Sequence, residues 1–176
     1  PLSRRQRQMC IRDSIKSSAD IGLNMCAITL LYKEGYFKQR IDEDGNQTET
    51  YPKFDPYPLL DKLDLTFKLR LRNRDVFIEV YQYKYIGING HELPVYFLDT
   101  DCEENFPDDQ IISLRLYSGD KDHRILQEAI LGFGGMKLLD ALGQASIQKY
   151  HMNEGHCSFL VLDLLEKYQG DEKKVK

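Results

Sequence analysis

The stretch IKSSADIGLNMCAITLLY, Ile15–Tyr32, decides the fold class. Its first six residues have helical character, and Gly22 stands where a helix places its C′ glycine. Met25–Tyr32 is then an unbroken apolar run of strand length. A strand that borders water on one face alternates polar and apolar residues. One that is apolar throughout is buried on both faces, as in a parallel sheet covered by helices. A helix handing over directly to such a strand is the step from which α/β domains are built.

Working downstream, Lys33–Leu60 is rich in turn residues (Gly35, Asp44-Gly45, Asn46, Pro52, Pro56, Pro58) and reads as a long ordered excursion outside the sheet. Leu65–Arg72 and Arg74–Tyr85 alternate with period two and are nearly contiguous. They predict an antiparallel pair with one wet face, an appendage to the core. Glu92–Thr100 reads as another buried strand, ending in acids. Lys121–Leu142 predicts a long helix in which Leu126, Ile130, Phe133, Met136 and Leu139 line one face. Gly132, Gly134 and Gly135 sit mid-helix, where each costs about 1 kcal/mol relative to Ala, so they predict a close helix–strand or helix–helix approach. Ser146–Asn153 then reads as a short strand and Gly155–Tyr168 as a helix, giving a Rossmann-like layer.

Of the 176 residues 41% are hydrophobic, and the formal charge is −4, which supports a folded core rather than a disordered chain. No apolar run reaches the roughly 18 residues of a membrane span, and the acidic balance gives no footing for nucleic acid. Four cysteines (Cys10, Cys26, Cys102, Cys157) without a CxxC pair argue against a disulfide framework or zinc knuckle and for a reducing, cytoplasmic setting. The ends differ from the body. Residues 1–14 carry Arg4, Arg5, Arg7 and Arg12 against Asp13, lack an apolar signal core, and include RQMCIRDS, which resembles translated sequencing-adaptor DNA. They are read as a non-native leader before an incomplete domain at 15–176, and the charged terminal DEKKVK also reads as the end of a fragment.

The sharpest constellation is YHMNEGH, Tyr150–His156, placed where the expected strand meets a helix, the edge at which open α/β sheets bind ligands. Asn153, Glu154 and His156 offer an amide, a carboxylate and an imidazole suited to sugar hydroxyls; the plainer alternative is helix capping. His151 and His156, five apart across a turn, do not match the zinc spacing HExxH. In LYSGDKDHR, Leu116–Arg124, Asp120 precedes the long helix and Arg124 lies about one turn inside it. The pair reads either as ordinary capping or as a gating acid with a basic partner or anion contact. Asp99-Thr100-Asp101 is a lone DxD at a strand end, more plausibly solvated than metal-binding. No GxSxG elbow or phosphate loop is present, and Cys157 beside His156 diverges from it by about 100° on a helix.

Read together, DSIKSSADIGL, LLYKEGYFKQRIDEDGNQ, VYFLDTD, RLYSGDKDHRILQEAILGFGG and YHMNEGHCSFLVLDLL resemble, in order, the α-glucan phosphorylase family, in the flavour of its shorter bacterial and archaeal branch. The resemblance spans nearly all of residues 15–176. It implies part of the Rossmann-like N-terminal lobe of a two-lobe, B-type glycosyltransferase fold. It also implies phosphorolysis, in which phosphate attacks the terminal α-1,4-linked glucose of a glucan to release glucose 1-phosphate. Asp120 matches the acid of the loop closing the catalytic cleft, Arg124 its basic partner, and Asn153, Glu154 and His156 polar residues of the sugar pocket. The glycine-rich segment expected before Asp13 is absent, and Ser14 stands where relatives often carry His. The pyridoxal-phosphate lysine of the family belongs to the C-terminal lobe, which is missing here. The resemblance therefore implies the cofactor in a full-length, homo-oligomeric parent, and none bound by this fragment. Two other readings stay open: a nucleotide-sugar-dependent glucan synthase or other two-lobe glycosyltransferase, and a non-catalytic carbohydrate-binding half-domain.

Overall fold

The computed structural model describes residues 4–35, 37–116, 119–144, 146–153 and 155–169. Helix α1, Arg4–Asp20, closes with a Schellman turn: the Gly22 N–H donates to the Ala19 carbonyl at 3.0 Å and that of Leu23 to Ser18 at 2.9 Å. Gly22 takes φ 71°, the left-handed conformation that a C′ glycine supplies. Among the described side chains of α1, Ile15 and fully buried Ala19 pack on the sheet, while Ile11–Ser14 are exposed. The turn delivers the chain into β1, Ala27–Leu30, whose parallel partner is a later strand.

The excursion predicted over Lys33–Leu60 lies off the sheet. It folds as an exposed antiparallel hairpin, β2 (Lys38–Ile41) and β3 (Gln47–Thr50), followed by a 3₁₀ turn at Tyr57–Leu59. Strands β4 (Asp61–Leu71) and β5 (Arg74–Ile86) pair across a two-residue turn in which Arg72 and Asn73 both have positive φ, 48° and 62°. This is the primed hairpin geometry that matches strand twist. Strand β6, Glu92–Asp99, lies antiparallel to β5 and parallel to β1, so the sheet is mixed, in the order β1-β6-β5-β4.

The antiparallel pair is thus no appendage. Val76, Ile78 and Val80 of β5 are fully buried in the main core with Leu30, Leu98 and Ile130. Alternation reports that one face is wet without saying which sheet the strand joins. Only β4 keeps the expected wet face, with Asp64, Thr66, Lys68 and Arg70 exposed.

After the short helix α2 (Pro107–Gln110), the predicted long helix forms as α3 (Lys121–Ala129) and α4 (Gly135–Ala141), joined by a π turn at Ile130–Gly134. Leu126, Ile130, Met136 and Leu139 are buried as the spacing requires. Two of the three glycines make the expected close approach: a Cβ on Gly132 would stand 2.7 Å from the Leu160 nitrogen of helix α5 (Phe159–Lys167), and one on Gly134 3.3 Å from Leu98 Cδ1, whereas Gly135 has only ordinary contact, 3.9 Å from Ile28. The strand expected at Ser146–Asn153 does not form among the described residues. The two apolar side chains of the segment that pack on the core, Ile147 and Tyr150, are three residues apart, which a strand would send to opposite faces. Irregular backbone instead lets both pack on Met136, Leu139 and Leu164. The last helix accordingly starts at Phe159 rather than Gly155, and helix–strand–helix becomes helix–coil–helix. Helix α1 covers one sheet face through Ala19, Leu93 and Val95, and the α3–α4 rod covers the other, an α/β arrangement.

Candidate functional site at the sheet rim

The pairing of parallel strands β1 and β6 ends at Leu30 and Leu98, and the chain beyond each supplies polar groups. Asp99 is fully buried, neither solvated nor placed to bind metal as a free pair with Asp101. Lys33 Nζ lies 3.0 Å from its Oδ2 and 2.6 Å from Asp101 Oδ2, and also sits 4.7 Å from the centre of the Tyr57 ring. Asp99 further accepts from the Tyr57 hydroxyl at 2.7 Å, Ser113 Oγ at 2.9 Å and the Asp101 N–H at 3.0 Å. A buried carboxylate is tolerable only when so neutralised and hydrogen-bonded. Burial, then the hydrogen bond to Asp99, pushes the Tyr57 phenol far above its ordinary range, so the hydroxyl remains a donor. Among the described residues no group of three or more His, Cys, Asp and Glu is placed to hold a metal ion.

A second clamp lies alongside. The Lys33 and Glu34 amides both donate to the Leu114 carbonyl at 3.0 Å, and Arg115 Nε donates to Glu34 Oε2 at 2.6 Å. The Arg115 guanidinium stacks 3.9 Å above Tyr51, and Gln127 Nε2 caps the Ile112 and Arg115 carbonyls at 2.7 and 2.9 Å. The excursion is thereby strapped over the rim at both Asp99 and Arg115.

Beside this strap is a shallow depression lined by Leu30, Tyr32, Leu116, Arg124, Gln127, Glu128, Leu131 and His156. Arg124 and His156 therefore converge from elements distant in sequence. Arg124 is exposed and forms no ion pair with Asp120, contrary to the partnership expected. The Asp120 carboxylate instead caps α3, accepting the His123 N–H at 2.9 Å, because that amide is one of the orphan donors of a helix start. Asn153 is exposed and does not line the depression, and Glu154 falls outside the described residues. Burial raises the Cys157 thiol above its ordinary value, which opposes a nucleophilic role beside His156. Sequence reading missed Tyr32, Gln127 and Glu128. The last two are three and four residues beyond Arg124, hence on its helical face, so spacing alone could have found them.

No family model matches the chain. Over 154 residues, 84% of its length, the chain is 40% identical to maltodextrin phosphorylase of Thermococcus litoralis, covering 18% of that protein. It is 36% identical over 160 residues to glycogen phosphorylase of Aquifex aeolicus, with 85% of this chain and 22% of that protein covered. Glycogen phosphorylase of Mycobacterium tuberculosis is 33% identical over 172 residues, 90% of this chain and 19% of that protein. The chain spans about a fifth of the length of these curated relatives.

Proposed function

We propose, from the premise that this chain belongs to the α-glucan phosphorylase family, that it is a portion of an enzyme moving the terminal α-1,4-linked glucose of a glucan to inorganic phosphate. The observation that carries the reading is the convergence of Arg124 and His156, with Tyr32, at the carboxyl rim of a parallel strand pair, the ligand edge of α/β sheets. We read the mixed sheet as part of the Rossmann-like N-terminal lobe of a two-lobe fold. Residues 1–14 stay read as a leader foreign to it.

In this reading Arg124, His156, Asn153 and Glu154 contact sugar hydroxyls or an anion, and Asp120 fixes the turn before α3. Such contacts orient the glycosidic bond and exclude water, which would otherwise compete with phosphate as nucleophile. Pyridoxal phosphate supplies acid–base chemistry through its phosphate group in this family. Among the described residues, those lining the depression include no lysine and so do not fit a Schiff base. A cytoplasmic setting and a homo-oligomeric parent complete the proposal; no helix among the described residues is long and apolar enough to cross a membrane.

The test is His156→Ala in the full-length parent enzyme. Losing a hydrogen bond to a polar or charged partner costs about 1.5–3 kcal/mol, so glucose 1-phosphate formation should fall about ten- to hundredfold. An unchanged rate removes His156 from the site and, with it, the rim as the sugar pocket.

A further inference from the structure

His123 grips the turn before α3 in two ways. As the third residue of the helix it donates its backbone N–H to the Asp120 carboxylate at 2.9 Å. Its side chain lies against Gly119, so closely that a Cβ there would stand 2.6 Å from His123 Cβ and 2.7 Å from Cγ. Gly119 has φ 79°, so only a glycine both takes this conformation and leaves room for the ring. The ring's Nε2 is buried and has no hydrogen-bond partner among the described residues. A neutral imidazole tolerates one silent nitrogen, but the imidazolium carries a proton on each and leaves a charged donor unsatisfied.

We propose that His123 is a positioning residue for Asp120 that works only as the neutral imidazole, so that mild acid lifts its ring from Gly119 and loosens the Asp120 cap. The charged groups acting on the ring are Asp120 on its own turn, which favours the cation, and Arg72 from the β4–β5 turn, which opposes it. The positive end of α3 opposes it too. Burial is the largest influence and holds the imidazole below its ordinary 6.5. The docked ring therefore binds fewer protons than the undocked one. Its docking is at full strength above about pH 6.5 and is lost as pH falls through the lower, docked value. What this does to sugar binding rests on the reading of Asp120 given above; the docking itself does not.

The test is an NMR titration of the 176-residue chain from pH 7.5 to 5, following the His123 ring protons and the hydrogen exchange of its amide. The ring should titrate below 6.5. The amide's opening equilibrium, corrected for intrinsic exchange, should rise by up to about tenfold per pH unit across that range. His123→Leu, which keeps an apolar side chain on Gly119 and cannot titrate, should stay protected throughout. Gly119→Ala should lose protection at every pH. Protection that is flat through the wild-type His123 titration overturns the proposal, as does a folded His123→Leu chain that loses protection over the same range. If His123→Leu does not fold, the wild-type titration decides alone. Asp120→Asn in the full-length parent separates the two readings: unchanged glucan kinetics beside an intact titration removes Asp120 from the sugar site and leaves the docking standing.

Discussion

Gly132 and Gly135 share a helical rod but meet different surroundings, and the difference fixes opposite outcomes for the same substitution. An added Cβ at Gly132 would stand 2.7 Å from the Leu160 nitrogen and 2.8 Å from Phe159 Cβ, at the backbone of α5, which has no rotamer to yield. At Gly135 the nearest atoms are Ile28 Cδ1 and Cγ2 at 3.9 Å, ordinary contact. Overpacking costs about 1–3 kcal/mol, and replacing a helical glycine by alanine returns up to about 1 kcal/mol. Gly132→Ala should therefore destabilise by about 1–2 kcal/mol and Gly135→Ala should be neutral or stabilising by up to about 1 kcal/mol. Urea midpoints at constant m-value would show it; equal midpoints would mean that α5 moves aside freely. At this scale the sequence is informative but incomplete. Three glycines inside an otherwise apolar helix announce a close approach, whereas the partner, α5 for Gly132 and Leu98 for Gly134, comes from residues far away in the chain.

At the scale of elements, the strap over Lys33–Leu60 depends on one buried carboxylate. Asp99 is fully buried and collects Lys33, Tyr57 and Ser113, whereas Asp101 makes a shorter contact to the same Lys33 with its side chain about half exposed. Distance alone would rank Asp101 first, but solvent screening decides otherwise, since exposed pairs contribute about 0–1 kcal/mol. Removing one partner of a buried pair costs about 3–5 kcal/mol, because it strands the other charge and its hydrogen-bond donors. Asp99→Ala should lower stability by that amount and free the strap, and Asp101→Ala should change it by less than about 1 kcal/mol. Thermal unfolding compares the two, and equal losses would show that Asp101 is the partner Lys33 needs. The elements themselves were unevenly legible. The Ile15–Tyr32 helix-to-strand step, the β4–β5 turn at Arg72-Asn73 and the rod's apolar stripe were written in local periodicity. The place of β5 at the centre of the sheet was not, because alternation carries no information about the second neighbour. Asp99 misled for a related reason: a DxD at a strand end looks solvated until Lys33, 66 positions earlier, is folded onto it.

At the scale of the whole molecule, the two sheet faces are covered unequally. The α3–α4 rod spans β1, β6, β5 and β4 on one side, while the described side chains of α1 pack against the end of the other face that holds Leu93 and Val95. Farther along that face Thr29, Leu31, Tyr83 and Phe97 line a groove of about 580 Å³, closed on its far side by Phe54, Pro56 and Leu59 of the strap. The candidate site was legible in its Arg124 and His156 components because they lie at element boundaries; this groove was not, since it is made from strand and loop residues that meet only in the fold. An apolar concavity of that size is favourable for a flat aromatic solute, which gains about 25 cal/mol for each Å² of apolar surface removed from water. The folded chain should therefore enhance the fluorescence of anilinonaphthalene sulfonate, and denaturing urea should abolish the enhancement. Phe54 is 55% exposed, so Phe54→Asp removes the outer wall and places a charge facing the sulfonate at little cost to the core. That variant should lose most of the dye signal at unchanged far-UV circular dichroism. If the enhancement survives in Phe54→Asp, the dye is reading surface elsewhere, and the strap does not close the groove in solution.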